Sequence, residues 1–218
     1  MIEAVVFDLD GVLLDTEQVW DDVREALARE RGGRYDEQAQ QAMMGMSSGE
    51  WSSYMHDELG LPEPPEEINA EVVRRLLARY RERLPLIPGA AEAVERLAER
   101  WPLAVASSSN RDLIEEFLGG SGLRERFCTW VSSEEVGRGK PAPDVFLEAA
   151  RRLGVPPQRC TAIEDSANGL RAAKAAAMRV VAVPNAHYPP PLDALALADA
   201  VVGSPAELTE AVVSGAAA

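Results

Sequence analysis

The clearest chemical feature of the sequence is a pair of aspartates, Asp8 and Asp10, directly after a short apolar run at residues 4–7. Carboxylates beside a buried strand are costly, because two unit charges about 4 Å apart repel by about 4 kcal/mol at an effective dielectric constant of about 20. One carboxylate can act as a nucleophile and form an aspartyl phosphate, and a second carboxyl group can protonate the leaving group and later activate water. We therefore assign Asp8 as candidate nucleophile and Asp10 as candidate general acid and base. Gly11 would allow a sharp turn close to the substrate.

Three later loops supply further polar side chains near the ends of apolar runs. These are Ser107, Ser108, Ser109 and Asn110 in the first loop, Lys140 in the second, and Glu164 and Asp165 in the third. Loops at the carboxyl ends of parallel strands build the ligand site of such a sheet, so we expect all these side chains near the two aspartates. Each loop alone is a weak signal, whereas their joint placement at one edge is a strong one.

The predicted edge carries four carboxylates, which cannot all ionise without positive charge nearby. Lys140 offsets one negative charge, and a divalent cation would offset two more. An all-oxygen site without histidine or cysteine favours Mg²⁺, which usually shares its coordination shell with a substrate phosphate. Ser107 and the backbone amides near Asn110 lie where a helix is predicted to begin, which suits a phosphate group. The pattern predicts Mg²⁺-assisted phosphoryl transfer.

The elements that position these residues alternate between strands and helices. Apolar runs without polar alternation are typical of strands covered on both faces. They occur at 4–7, 103–106, 129–131, 161–163, 180–183 and 200–202. Helices are predicted at 90–100, 111–118 (ended by Gly119 and Gly120), 144–153 and 167–177, and a capping-box pattern predicts another from 204–207. The alternation predicts an α/β fold with a doubly wound parallel sheet.

Residues 16–84 interrupt this alternation, because the segment contains helical patterns and no strand-like run. The predicted helices are 17–31, 37–44, 49–58 and 66–83. We therefore predict a catalytic core formed by residues 1–15 and 85–218 and an inserted helical cap formed by residues 16–84. Residues 186–192, which include three consecutive prolines, are predicted to form a loop.

The composition narrows the class of protein. Of the 218 residues 46% are hydrophobic, and the formal net charge of −14 argues against non-specific binding to nucleic acids or anionic membranes. Cys128 and Cys160 form no ligand cluster and are expected to be buried thiols in a reducing compartment. The amino terminus does not match a signal peptide, and no apolar stretch is long enough to span a bilayer. We expect a cytoplasmic protein, with a monomer as the default state and a small phosphorylated molecule as its partner.

With these residues in view, the chain resembles the haloacid dehalogenase-like superfamily. It is similar to the branch with a helical cap that contains β-phosphoglucomutases and sugar-phosphate phosphatases. Four signatures of the superfamily occur in order: Asp-Leu-Asp-Gly-Val at 8–12, Ser107, Lys140 within 139–144, and Glu-Asp-Ser-Ala-Asn-Gly at 164–169. The resemblance extends over nearly the whole chain, with residues 16–84 as the cap.

The resemblance also implies a role for each matched residue. Asp8 is similar to the phosphorylated nucleophile and Asp10 to the general acid and base. Ser107 and Lys140 are similar to the residues that contact the transferring phosphoryl group. Further contacts in the same loop would come from Ser108, Ser109 and Asn110. The implied Mg²⁺ ligands are Asp8, the backbone carbonyl of Asp10, and Asp165, with Glu164 in or near the coordination shell.

The cap sequence bears on which activity of that branch is present. β-Phosphoglucomutases have a histidine four residues after a threonine at the start of the cap and a phosphate-binding arginine in a cap loop. This chain has Trp20 and Ser48 at those places, and both are candidate substrate contacts. The cap of hexose-phosphate phosphatases in this branch opens with a glutamate and a tryptophan three residues later, and Glu17 and Trp20 are similar to that pair. We therefore predict a phosphatase of small phosphorylated sugars, with a phosphosugar mutase as the alternative.

The predicted cap also contains residues with two possible roles. Met43, Met44, Met46 and Trp51 could either pack in a core or line the substrate pocket, and Arg74, Arg75 or Arg79 could supply a phosphate anchor. The dehalogenases of the superfamily lack the second aspartate, so Asp10 argues against carbon–halogen hydrolysis. A phospho-aspartate signalling receiver is a weaker alternative, because its phosphorylated aspartate lies mid-chain and it needs no cap.

Overall fold

The computed structural model describes residues 1–44, 46–185 and 189–216. Within these residues, six parallel strands form one sheet in the order β3-β2-β1-β4-β5-β6. The strands are β1 (Ala4–Phe7), β2 (Leu103–Ser107), β3 (Phe127–Ser132), β4 (Cys160–Glu164), β5 (Arg179–Ala182) and β6 (Ala200–Val201). The chain order reverses beside β1, and ligands bind outside the carboxyl ends of the strands at such a point. The predicted doubly wound α/β fold is confirmed.

Ten α-helices surround or extend this sheet in the described part of the chain. The first four follow β1 in the chain: α1 (Glu17–Glu30), α2 (Glu37–Met43), α3 (Ser48–Asp57) and α4 (Pro65–Glu82). The others are α5 (Ala90–Ala98), α6 (Arg111–Gly120), α7 (Asp144–Leu153), α8 (Ala167–Ala175), α9 (Leu192–Leu195) and α10 (Glu210–Ser214). None of the described helices is both long enough and apolar enough to cross a membrane.

The central strand is apolar on both faces because helices cover both. Val5 and Phe7 of β1 belong to a buried cluster that includes residues of α5 and α6. Ala4 and Val6 point to the other face, where a second cluster includes residues of α7 and α8. An apolar strand enclosed in this way can carry charge only where it ends, which is where Asp8 begins.

Helices α1 to α4 pack on one another and join the first cluster. Trp20 of α1 and Trp51 of α3 meet edge to face, with ring centroids 5.9 Å apart. The chain enters and leaves this region at neighbouring positions, because the Asp15 amide donates to the Pro85 carbonyl at 2.8 Å. The division into a core and a cap at residues 15/16 and 84/85 stays a prediction.

Several local predictions were wrong. The capping-box pattern at 204–207 forms a single 3₁₀ turn, because Ser204 donates to the Glu207 carboxylate at 3.3 Å and makes no cap bond. The following helix, α10, starts after Thr209, whose side chain does cap it. Cys128 is exposed on the edge strand β3, whereas Cys160 is buried. Of the predicted loop at 186–192, residues 186–188 lie outside the described residues, and α9 already begins at Leu192.

Candidate active site

Three loops bring an ammonium group between two carboxylates. Lys140 Nζ donates to Asp8 Oδ1 and to Glu164 Oε1, both at 2.6 Å, and all three residues are buried. Lys140 Nζ also lies 4.9 Å from the ring centroid of Phe146 in α7, which adds a cation–π contact. The structure therefore brings Asp8, Lys140 and Glu164 together at the carboxyl ends of β1 and β4.

Glu164 is oriented by the start of α8. Its Oε2 accepts from the amides of Asp165 and Ser166, both at 2.8 Å, and from Ser166 Oγ at 3.0 Å. A Cβ atom on residue 169 would lie 1.6 Å from Glu164 Oε1 and 1.8 Å from Cδ, so only glycine leaves room for this carboxylate. Gly169 thus permits the orientation that holds Lys140.

Burial and charge set the protonation of this cluster. Burial raises the pKa of Asp8 to about 8, with Lys140 opposing the shift and Glu164 adding to it. Burial and the Glu164 carboxylate also raise the pKa of Asp165 well above its ordinary value. Burial by itself would lower the pKa of Lys140, but Asp8 and Glu164 outweigh it and raise that pKa. One lysine therefore faces three carboxylates, which leaves two negative charges unbalanced when all three ionise.

The same three carboxylates fit a divalent cation. Asp8, Glu164 and Asp165 each place one oxygen within 4.8 Å of the others. Asp165 Oδ1 is buried and accepts no hydrogen bond from any described residue. Gly11 has a φ of +80°, and a Cβ atom there would lie 2.0 Å from Asp165 Oδ2, so glycine is required for this close approach. Oxygen donors, two unbalanced charges and an unpaired buried oxygen together suit Mg²⁺.

Asp10 lies beside this cluster but points its carboxylate towards hydroxyl groups. Oδ1 accepts from Thr16 Oγ1 at 2.6 Å and from the Trp20 indole nitrogen at 3.3 Å. Oδ2 accepts from Ser109 Oγ at 2.5 Å and from Ser107 Oγ at 3.5 Å. Four donors from α1 and the loop after β2 therefore fix the carboxylate.

The partners of Asp10 indicate which of its oxygens can carry a proton. The indole N–H of Trp20 can only donate, so Oδ1 must remain an acceptor while that contact lasts. Serine hydroxyls can donate or accept, so Oδ2 can gain or lose a proton by rotation of its two partners. This geometry suits a group that must act as acid and base in turn.

The loop after β2 is divided between the cavity and the contact with the cap helices. Ser107, Ser108 and Ser109 line the cavity described below. Asn110 faces away from it and donates to Asn69 Oδ1 at 3.2 Å and to Glu134 Oε1 at 2.6 Å. Ser48 of α3 donates to the same Glu134 oxygen at 3.4 Å. The structure thus places Ser48 and Asn110 on Glu134, outside the cavity lining.

A cavity of about 240 Å³ opens at Asp8, Asp10 and Lys140. Its volume lies below the roughly 300–1,000 Å³ typical of drug-sized ligands, so a compact molecule fits it best. Its remaining wall comes partly from residues 17–51, before β2, and partly from residues 165–168, 185 and 189–191, after β4 and β5. This wall includes Glu17, Trp20, Arg24, Met43, Met44, Met46 and Trp51. Met43 and Trp51 are also fully buried, so these two residues both pack in the core and line the cavity.

The suggested arginine anchors do not line this cavity. Arg74 pairs with Glu71 at 2.7 Å, and Arg75 pairs with both Glu71 and Glu30, at 2.7 and 2.6 Å. Arg79 is exposed on the same helix. The structure therefore places all three arginines outside the cavity lining, with Arg74 and Arg75 paired to acidic residues.

Sequence reasoning missed four residues that shape the site. Thr16 and Arg24 each lie four residues from Trp20 on the same face of α1, and this spacing could have placed both beside it. Gly169 lies in the first turn of α8, where its position after Glu164 and Asp165 was the available signal. The bridging role of Glu134 had no sequence signal, since it depends on contacts between distant segments.

Residues 2–177 match the model of the haloacid dehalogenase-like hydrolases. The chain belongs to this family. The predicted membership is confirmed, and the chain is by family a hydrolase.

Two individual relatives are named as phosphatases, one of them a bifunctional protein. Hexitol phosphatase B of Escherichia coli K12 is 36% identical over 216 residues, covering 95% of each protein. The bifunctional riboflavin kinase/FMN phosphatase of Arabidopsis thaliana is 35% identical over 84% of this chain, which spans only 48% of that protein's length.

Two solved structures are similar over nearly the whole chain, and one of them is a β-phosphoglucomutase. CbbY from Rhodobacter sphaeroides in complex with phosphate aligns with a TM-score of 0.86 and 30% identity, covering 98% of this chain and 99% of that one. β-Phosphoglucomutase from Clostridium difficile aligns with a TM-score of 0.83 and 26% identity, covering 96% of this chain and 94% of that one. The choice between activities therefore rests on the site itself.

Proposed function

We propose that the protein is a Mg²⁺-dependent phosphatase of small phosphorylated metabolites, foremost sugar phosphates, acting through a phosphorylated Asp8. The observation that carries the proposal is the pairing of two differently held aspartates at one cavity. Asp8 is bound by Lys140, and Asp10 is bound by hydroxyl groups that tolerate either protonation state. This arrangement separates the nucleophile from the proton carrier.

In the first step, Asp8 attacks the phosphorus atom and the bond from phosphorus to the substrate's bridging oxygen breaks. Lys140 holds Asp8 Oδ1 and leaves Oδ2 as the attacking atom. Asp10 Oδ2 gives its proton to the departing oxygen. Ser107 and Ser108, which line the cavity, are placed to donate to the phosphoryl oxygens.

In the second step, Asp10 takes a proton from water, which attacks the phosphorus atom of the aspartyl phosphate and releases inorganic phosphate. This returns Asp8 to its carboxylate form and Asp10 to its acid form. Asp8, Asp165 and the Asp10 carbonyl would hold Mg²⁺, with Glu164 beside them. Bound Mg²⁺ would supply positive charge that stabilises the nucleophile and the phosphoryl group.

The cap residues favour a phosphatase over a mutase. β-Phosphoglucomutases hold the second phosphate of their intermediate with an arginine of the cap loop, and Ser48 takes that place here. Ser48 is neutral and donates to Glu134 outside the cavity. Trp20 occupies the wall of the cavity and donates to Asp10. Hexitol phosphatase B, a relative along most of the chain, is a phosphatase by name and supports hydrolysis.

The proposal is tested by measuring inorganic phosphate release from a panel of sugar, polyol and nucleotide monophosphates with and without Mg²⁺. We expect sustained, Mg²⁺-dependent release that Asp8→Asn abolishes. Conversion of β-glucose 1-phosphate to glucose 6-phosphate with negligible phosphate release would identify the mutase instead. The expected cytoplasmic monomer is part of the proposal, and light scattering on the purified protein tests its oligomeric state.

A further inference from the structure

Arg24 is held in the cavity wall by two tryptophans. Its guanidinium carbon lies 4.7 Å from the ring centroid of Trp20 and 5.3 Å from that of Trp51. The two indoles themselves meet edge to face, so the guanidinium rests on a rigid aromatic platform. Arg24 therefore has a fixed position beside the substrate space.

The Arg24 guanidinium has no acceptor of its own among the described residues. No hydrogen bond or ion pair within 4.0 Å links it to any of them, and its Nε is buried without a partner. Its helix neighbour Asp21 accepts instead from the Tyr35 hydroxyl at 2.5 Å. By contrast, Arg75 of α4 binds two carboxylates on the surface. Among the described residues, Arg24 is thus a cation without a hydrogen-bond or ion-pair partner; burial lowers its pKa, and the acids around it oppose that shift.

An unpaired charge in a partly buried wall is unfavourable unless something binds it. The nearby acids, Glu17 and Asp10, contribute negative charge to the cavity but make no direct contact with Arg24. A guanidinium offers parallel N–H groups that match the two oxygens of a carboxylate or phosphate. The transferring phosphoryl group must lie at Asp8 and Lys140, so Arg24 is free for a different part of the substrate.

We propose that Arg24 binds a second oxyanion on the substrate, a carboxylate or another phosphate, at the end remote from the scissile phosphoryl group. This inference rests on the proposed function and narrows its substrate class to compact metabolite phosphates with two anionic ends. The cavity of about 240 Å³ suits such a short molecule. A neutral polyol tail would leave the guanidinium without a matching partner.

The test compares three substrates of equal chain length: a hexitol 6-phosphate, a hexonate 6-phosphate and a hexitol 1,6-bisphosphate. We expect wild type to have a higher kcat/KM for at least one of the two anionic-tail substrates than for the neutral one, and the better of the two identifies the bound group. Arg24→Gln should lower that kcat/KM by about 10- to 100-fold, the usual value of a charge-assisted hydrogen bond. The neutral substrate should change by less than about threefold, and Arg24→Lys should retain part of the preference.

Arg79→Gln is the matched control, because Arg79 is exposed on α4 and does not line the cavity. Binding is also measured without turnover, by tryptophan fluorescence of Asp8→Asn and Asp8→Asn/Arg24→Gln titrated with each substrate. Equal affinity of both variants for the anionic-tail substrates would overturn the proposal. So would a wild-type enzyme that prefers the neutral substrate. Absence of phosphate release from every substrate, with the anion-dependent binding intact, would refute the phosphatase but not the Arg24 site.

Discussion

Replacing Gly169 with alanine tests whether the orientation of Glu164 holds the catalytic cluster together. The new Cβ atom would stand 1.6 Å from Glu164 Oε1 and 1.8 Å from its Cδ, so the carboxylate must leave its place. Lys140 and the amides of Asp165 and Ser166 then lose a charged acceptor. Because Lys140 also holds Asp8, the nucleophile loses its orientation as well.

The expected magnitude follows from the bonds that break. Losing only two of these hydrogen bonds to the charged Glu164 carboxylate, at about 1.5–3 kcal/mol each, already outweighs the gain of about 1 kcal/mol that alanine brings to a helix. We therefore expect Gly169→Ala to lower the free energy of unfolding by about 2–5 kcal/mol, or the melting temperature by about 5–15 °C. The value of kcat should fall by at least about 100-fold, because the site depends on accurate positioning.

The assay is thermal unfolding together with phosphate release, and Gly119→Ala is the control. Gly119 lies in α6, and a Cβ atom there meets nothing within 4 Å. The control should therefore gain about 1 kcal/mol, or about 2–4 °C, with unchanged kcat. A Gly169→Ala protein as stable and active as the Gly119→Ala control would refute the argument that Glu164 needs this space.

Three further predictions follow from other contacts. Thr16→Val removes a donor to Asp10 Oδ1 and should lower kcat about tenfold, with little change in KM, when phosphate release is followed. Burial raises the folded-state pKa of Asp8 to about 8, so without metal the folded protein holds this proton more tightly than the unfolded chain does. The metal-free protein should therefore lose stability as pH rises from about 4 through about 8. Melting temperatures measured in EDTA should record this loss, which Asp8→Asn should reduce; an unchanged pH slope in that variant would contradict the assignment. Glu134→Ala breaks the contacts to Ser48 and Asn110 and should raise KM a few-fold while changing kcat less. An unchanged KM would show that these contacts do not affect substrate binding.

The fold was predictable because its strands are enclosed on both faces. Continuous apolar runs such as residues 103–106 are stable only where both faces are buried, as in a sheet covered by helices on both sides. Prediction failed where a side chain had a local alternative. Ser204 bonds the Glu207 carboxylate instead of capping a helix, and Gly119 and Gly120 remain inside α6 although glycine often ends a helix.

The part of the site that lies at the ends of the strands could be predicted from the topology of the sheet. The carboxyl ends of parallel strands meet at one edge, so residues that end different strands, such as Asp8 and Glu164, must converge there. The cap side of the cavity could be predicted only in part: Trp20 and Met46 were candidates and do line it, whereas the place of Arg24 depends on which helix faces meet. Arg24 resembles any polar residue of an amphipathic helix until Trp51, which comes from another helix, is seen beside it.

Phosphorylation of Asp8 during turnover is the most direct test of the central claim. The enzyme is mixed with substrate and Mg²⁺, quenched in acid within milliseconds, and digested for mass spectrometry. We expect one phosphoryl group on the peptide that contains Asp8, appearing before steady-state phosphate release and absent from Asp8→Asn. Full turnover without phosphate on that peptide, or sustained phosphate release by Asp8→Asn, would contradict the account.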